Sequence, residues 1–278
     1  MTRIISKKIT WPAVALALLI TLATIVVAQT PAVPPADLRG VIRLRVRVGI
    51  GDGIKAKGLA RKRFFLIKGS LEENKSLLQS IEQQTLVSRD CYYRGLGVSE
   101  ELIRWLKESD CESVYCREVE LKDIEGVGAV REFTDAVAAG EKTFASRELA
   151  RKWLTANLSD QIRDGFYKRR QEELQGFIKQ AEQLSKVKVM SVMTDLNGTG
   201  YFTDLEPGTY VISNILPTEI AGNDATFWNC DVKVKPGDLA TEKPFLISNP
   251  GNKDLRDVNN IKCRSVDKPL PACPEPNK

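Results

Sequence analysis

The stretch from Thr194 to Asn214 constrains the fold of this chain more than any other part of it: Thr-Asp-Leu-Asn-Gly-Thr-Gly-Tyr-Phe-Thr-Asp-Leu-Glu-Pro-Gly-Thr-Tyr-Val-Ile-Ser-Asn. It reads as strand end, tight turn, short strand, second turn and long strand. Asn197-Gly198 supplies the positive φ of a two-residue hairpin connection, where neither residue meets the full Cβ penalty. Pro207-Gly208 fits the centre of a type II turn, because proline presets φ and glycine accepts the left-handed geometry. Tyr210, Ile212 and Asn214 alternate with Val211, Ser213 and Ile215, the period of an extended strand. Such a β-sandwich hairpin carries no catalysis of its own.

The spacing Asp195-x-Asn-Gly-x-x-x-Phe202-x-x-Leu205-x-Pro-Gly-x-Tyr210 resembles the hairpin of carboxypeptidase regulatory-like domains, the prealbumin-like or starch-binding-like β-sandwich family. The motif spans under a tenth of the chain, and about a third with its flanking strands. The resemblance implies a fold and leaves the activity open, since such modules are appended to peptidases, outer-membrane transporters and surface proteins. It implies no peptidase activity here: the module lies outside the catalytic domain, and the chain has no histidine to hold zinc.

Upstream, Ile42, Leu44, Val46 and Val48 alternate with Arg43, Arg45 and Arg47, a half-buried strand with one cationic face. Ile50-Gly-Asp-Gly53 turns the chain, and a second strand is expected from Leu59 to Lys68. Phe64-Phe-Leu-Ile67 is too continuously apolar to keep a solvent face. In the family resembled, the characteristic hairpin follows soon afterwards; here it is delayed by more than a hundred residues, which implies an insertion.

Residues 70–185 are helical by pattern. Ser70-Leu-Glu-Glu73 is a capping box, with Leu77, Leu78 and Ile81 on one face. Ser99 and Ser146 are expected to cap helices carrying Trp105 and Trp153. Val127, Val130, Phe133 and Val137 recur at helical spacing up to Gly140. Ser159-Asp160 opens the longest helix, with Ile162, Phe166, Leu174, Ala181 and Leu184 directed inward. Strands resume at Val187–Thr194, then at the hairpin, at Thr226–Lys235 and at Lys243–Ser248.

The fold class expected is therefore α+β: a seven-stranded antiparallel prealbumin-like β-sandwich (41–69 and 186–248) interrupted by an all-α insertion (70–185). A signal peptide (1–28) and a linker (29–40) precede it. Residues 249–278, rich in Asn, Asp, Lys and Pro, are expected to form a surface tail.

The signal-peptide reading rests on Arg3, Lys7 and Lys8 ahead of an apolar run from Val14 to Val27 and on the small residues before Gln29. It is preferred to an uncleaved anchor, although Trp11 to Val27 approaches a marginal span of ~17 residues. Cleavage removes three cations and no anions, lowering the net charge from +5 to +2, so nothing calls for nucleic acid as partner. A membrane is expected as partner only if the segment stays uncleaved. With 42% hydrophobic and 28% charged residues, the whole chain has the composition of one that can build a true core.

All six cysteines, Cys91, Cys111, Cys116, Cys230, Cys263 and Cys273, lie in the exported part, where an even number signals disulfides. Short spans favour Cys263–Cys273 as a tail clip and Cys91 with Cys111 or Cys116. Cys230 then takes the remaining partner. Zinc is disfavoured, because Cys111-x-x-x-x-Cys116 stands without further ligands at metal spacing.

Absence of histidine removes the usual general base and the nucleophile dyads built on it. No Gly-x-Ser-x-Gly elbow, P-loop or dinucleotide fingerprint is present. Asp195, Asn197 and Asp204 invite calcium, but turn geometry explains them without a metal. No cofactor and no catalytic residue is expected. The best candidate binding surface is Arg43, Arg45 and Arg47 with Arg61 and Arg63, which share one face if the first two strands pair. It would meet phosphate or carboxylate groups of envelope polymers; the alternative is an outer face neutralised by acids of neighbouring strands. Tyr92-Tyr93, Tyr115 and Phe227-Trp228 are either sugar-stacking faces or buried anchors.

These readings favour an exported, non-catalytic binding or structural module of the bacterial cell envelope or extracellular space, with an envelope protein or glycan as partner. A carbohydrate-binding role of the sandwich is the first alternative. An enzyme using carboxylates between insertion and sandwich is the second.

Overall fold

The computed structural model describes residues 38–49, 56–220, 224–238, 244–248 and 263–273. The chain divides into two units, Met1–Ala36 and Asp37–Lys278. The described residues all belong to the second, so the expected signal peptide and most of the linker lie outside them.

The architecture is α+β, with two sheets and six α-helices among the described residues. The strands are β1 (Gly40–Val48), β2 (Lys57–Gly58), β3 (Arg63–Lys68), β4 (Met190–Met193), β5 (Thr199–Leu205), β6 (Gly208–Ser213), β7 (Thr218–Ile220), β8 (Asp224–Val234), β9 (Phe245–Ser248) and β10 (Cys263–Pro269). The helices are α1 (Lys75–Gln83), α2 (Arg89–Gly95), α3 (Glu100–Glu108), α4 (Arg131–Phe144), α5 (Arg147–Lys152) and α6 (Phe166–Ser185).

Sheet A is built on β1, and sheet B runs β10-β8-β6-β3-β4, with β7 also on β8. The alternation of β1 decides the first layer: Ile42, Leu44, Val46 and Val48 are buried, whereas the arginines between them are half-buried. The apolar set of β1 meets Phe64 and Leu66 of β3, Tyr210 and Ile212 of β6, and Trp228 of β8 in one core between the sheets. Val232 packs against the same core. The N-terminal strands therefore share an interior with those beyond the helices.

Phe65 and Ile67 point to the other side of sheet B, against Leu77 and Ile81 of α1 and Leu174 and Ala181 of α6. That is why the Phe64–Ile67 run shows no alternation: each face of β3 is covered. A third core, with Tyr93, Trp105, Phe133 and Phe166 at its centre, lies within the helices. Ser99 and Ser146 cap α3 and α5 as their positions require, accepting from Leu102 N at 3.3 Å and Leu149 N at 3.4 Å.

Several expectations are corrected. Ten strands are described, against seven expected, because β2, β7 and β10 are added. The sheets are not wholly antiparallel: β9 pairs β1 in parallel, Leu44 opposite Phe245 and Arg47 opposite Ser248. The second long strand starts at Arg63 rather than Leu59, since Arg61 takes φ +55° where the chain leaves sheet A for sheet B. Val127 is fully exposed ahead of α4, and that helix runs past Gly140 to Phe144. Gly140 is spent on packing: a Cβ there would sit 3.1 Å from Ala150 Cβ on α5. Leu184 is exposed at the end of α6.

The hairpin that dominates the sequence is two crossings. β4 pairs β3 in sheet B while β5 pairs β1 in sheet A, so the Asp195–Gly198 turn carries the chain between layers. The next turn returns it, since β6 pairs β3 and β8. Gly198 alone of the first pair takes positive φ, at +76°. Asp195 Oδ1 accepts from Asn197 N and Thr199 N, both at 2.8 Å, and Gly198 N donates to Asp195 O at 3.0 Å. At the second turn Gly208 has φ +152°, away from the type II value, and Asp204 takes the left-handed conformation at φ +60°.

All six cysteines are bonded, but in none of the expected pairs. The bonds are Cys91–Cys273, Cys111–Cys116 and Cys230–Cys263. The supposed tail is responsible. Within it Cys263–Pro269 forms β10 along β8, which sets Cys263 directly opposite Cys230. Cys273 is thereby brought to α2, where Cys91 waits. Residues 249–262 and 274–278 lie outside the described residues. Three disulfides are the chemistry of a chain folded in an oxidising compartment.

Candidate functional site

The outward face of sheet A carries the arginine row. Backbone alternation sends Arg43, Arg45 and Arg47 away from the core, about 7 Å apart along the strand. On one side of β1 the partners in register are Tyr201 opposite Arg43 and Thr199 opposite Arg45. On the other side Leu246 stands opposite Arg45 and Ser248 opposite Arg47. None of these neighbours is an acid, so cross-strand neutralisation is not what the sheet provides. Arg47 Nη2 donates to Ala56 O at 2.7 Å, and among the described residues no carboxylate pairs with any of the three. The Nε atoms of Arg43 and Arg45 are buried without a hydrogen-bond partner. Asp204 of β5 is occupied elsewhere, 2.6 Å from Arg39.

Three guanidinium groups held in line repel one another by about 0.6 kcal/mol per adjacent pair in water at ~7 Å. An anion laid across them removes that repulsion and accepts charge-assisted hydrogen bonds. Arg is suited to this because it stays protonated and offers paired donors to phosphate or carboxylate.

Arg61 and Arg63 do not join the row. Arg61 N donates to Thr194 O at 3.0 Å in the crossing ahead of β3. Arg63 lies on β3 in sheet B, where Nη1 donates to Ser191 Oγ at 3.2 Å. The five-residue surface expected from the sequence is thus a row of three, with Arg61 in the crossing between the layers and Arg63 in the other layer. Tyr201, exposed by 51%, was missed by sequence reasoning. Its signal was the alternation itself: Phe202 faces the core, so Tyr201 must face out beside Arg43.

The other candidate aromatics are mostly interior. Phe227, Trp228 and Tyr93 are fully buried, and Trp228 Nε1 donates to Ser248 O at 3.0 Å. Tyr92 stacks edge-on against Tyr93, and Tyr115 remains exposed. Asp195 spends one carboxylate oxygen on its own turn.

Acids do converge where the helices meet sheet B, around the buried guanidinium of Arg89. Asp90 lies 3.3 Å from it, Asp110 3.5 Å and Glu219 3.9 Å. Lys62 pairs with Asp110 and Lys107 with Asp90, so these carboxylates are neutralised in place. Burial pushes the Glu132 carboxyl up, but hydrogen bonds from Ser99 Oγ and N and from Arg131 outweigh it and hold the group below the ordinary carboxylate value. Each of these acids has a structural task. Among the described residues no group of three potential ligands could hold a metal ion, and no helix is long and apolar enough to cross a membrane.

No family model and no curated protein matches the chain. Among solved structures it is similar to the pilus backbone protein RrgB of Streptococcus pneumoniae, at 11% identity and TM-score 0.23, over 76% of this chain and 40% of that one. A second match, the full-length major pilin RrgB from the same organism, has 9% identity and TM-score 0.22, over 76% and 30%. The chain spans less than half the length of either pilin. At TM-scores this low the likeness carries no functional weight.

Proposed function

We propose that this protein is an exported, non-catalytic binding or structural module of the cell envelope or extracellular space, and that the outer face of sheet A is its contact surface for anionic groups. The observation that carries the reading is the row Arg43, Arg45 and Arg47, side by side with uncharged Tyr201, Thr199, Leu246 and Ser248 in register beside it. The disulfides support the compartment. The two-layer core and the Asp195–Tyr210 motif support a prealbumin-like sandwich of the carboxypeptidase regulatory-like kind, with the helices as its distinguishing addition. A non-catalytic role is supported by the structural commitment of the convergent acids around Arg89.

Retention of the full-length protein on phosphocellulose tests this. Wild type elutes at higher salt than the triple variant Arg43→Gln/Arg45→Gln/Arg47→Gln. The double variant Arg61→Gln/Arg63→Gln, whose cations lie off that row, elutes close to wild type. Co-elution of the triple variant with wild type overturns the assignment.

A further inference from the structure

Tyr201 and Arg43 are directly opposed on β5 and β1. Val46 N donates to Gly198 O at 2.7 Å, which makes Val46 and Gly198 a hydrogen-bonded pair. The alternation of an antiparallel ladder then makes Arg43 and Tyr201 a non-hydrogen-bonded pair, the kind whose side chains stand closest. Both leave the sheet on the side away from the core, because Ile42 and Phe202 occupy the core. Tyr201 is about half exposed and makes no ring or cation contact with a described residue. A flat apolar ring with a hydroxyl edge is thus presented beside a cation that pairs with no carboxylate among the described residues. Two more cations continue in line along β1.

We propose that this face binds an acidic glycan, a linear polysaccharide whose sugars carry carboxylate or phosphate. One sugar ring lies on Tyr201 with its anionic substituent on Arg43, and the following anionic groups meet Arg45 and Arg47. This rests on the anion-binding reading of the arginine row and adds the sugar ring to it. A bare polyanion uses the arginines alone; a neutral glycan uses the tyrosine alone. The juxtaposition of the two selects a ligand that has both features. An aromatic face takes the apolar C–H side of a pyranose, while a guanidinium takes the carboxylate or phosphate through paired N–H donors.

The test measures binding of the full-length protein to five probes: oligogalacturonate, phosphorylated mannan, inorganic polyphosphate, a single-stranded oligonucleotide and neutral dextran. Wild type is expected to bind the first two, the stronger of them naming the acid, and to bind dextran much more weakly. Tyr201→Ala weakens the acidic glycans about tenfold while leaving polyphosphate unchanged, and Tyr201→Trp keeps both. Arg43→Gln weakens every anionic probe. Tyr201 is exposed on a sheet face, so the Tyr201 variants retain the fold. If Tyr201→Ala leaves glycan binding unchanged, or dextran binds as well as the acidic glycans, the glycan assignment is overturned and the anion face stands. Tighter binding of a single-stranded oligonucleotide than of either acidic glycan also overturns it. If no anionic probe binds wild type, both readings fall.

Discussion

The indole Nε1 of Trp228 donates to the carbonyl of Ser248, 3.0 Å away. Trp228 belongs to β8 of sheet B and Ser248 to β9 of sheet A, so one part-buried hydrogen bond spans the two layers. The ring is fully enclosed and lies 6.0 Å from the Phe64 ring. Trp228→Ala should therefore destabilise the fold by about 3–5 kcal/mol, and Trp228→Phe by less. Denaturant midpoints at constant m-value check it. A change below ~1 kcal/mol for the alanine variant would contradict the packing described.

The three disulfides should differ in weight. They close sequence separations of 182, 33 and 5 residues. Loop-closure entropy then ranks Cys91–Cys273 first at roughly 5 kcal/mol, Cys230–Cys263 at roughly 4 and Cys111–Cys116 at roughly 2. Paired Cys→Ser variants followed by denaturant unfolding give the order. A non-reducing peptide map of the wild type gives the connectivity, and a Cys263–Cys273 peptide would refute the placement of β10.

Arg89 is 5% exposed and sits among Asp90 of α2, Asp110 in the turn after α3 and Glu219 of β7. Arg89→Met strands those carboxylates with only the flanking lysines and should cost about 3–5 kcal/mol. Arg89→Lys should restore little, because an ammonium lacks the planar fork that reaches several oxygens at once. Thermal unfolding of the two variants beside wild type decides it.

Glu132 is held below its unfolded value by the Ser99 and Arg131 hydrogen bonds. A depressed folded pKa contributes stability that is complete above the unfolded carboxylate range and lost as pH falls through the folded value. Stability measured from neutral pH downward should decline, and Glu132→Gln should make that decline shallower. An identical pH profile for the two proteins would show that the Ser99 contacts do not favour the ionised form.

Gly198 combines φ +76° with a crowded setting: a Cβ would lie 2.2 Å from Val46 O and 2.7 Å from Leu59 N. Gly198→Ala should cost at least about 2 kcal/mol, since both the left-handed conformation and the approach of three chain segments oppose it. Asn197→Ala, one residue away and not at positive φ, should cost less. Equal midpoints for the two variants would show the crossing to be tolerant.

The alternation in β1, the unbroken apolar run in β3 and the serine caps were all readable from the chain, because each is enforced within a few residues by backbone period or by an orphan N–H. The turn at Asp195–Gly198 was readable as a turn, and its carboxylate does fold back on it. Its use as a crossing was not readable, since a tight turn has the same local geometry whether its arms pair with each other or part to different sheets. Arg61 and Arg63 were grouped with the β1 row for the same reason: sequence adjacency does not say at which residue a chain changes layer.

What the amino-acid order determined by itself is the inventory: an alternating cationic strand, a doubly buried strand, a run of capped helices and an even set of cysteines. Each follows from short-range stereochemistry or from counting. Only the tertiary structure decided the partners. β8 left an edge open, the C-terminal segment paired along it, and that pairing chose which thiols could meet. It likewise set Tyr201 beside Arg43 and placed uncharged Thr199, Leu246 and Ser248 in register with the row. Such choices depend on which distant surfaces bury the most apolar area together, a sum over the whole chain that no local window contains.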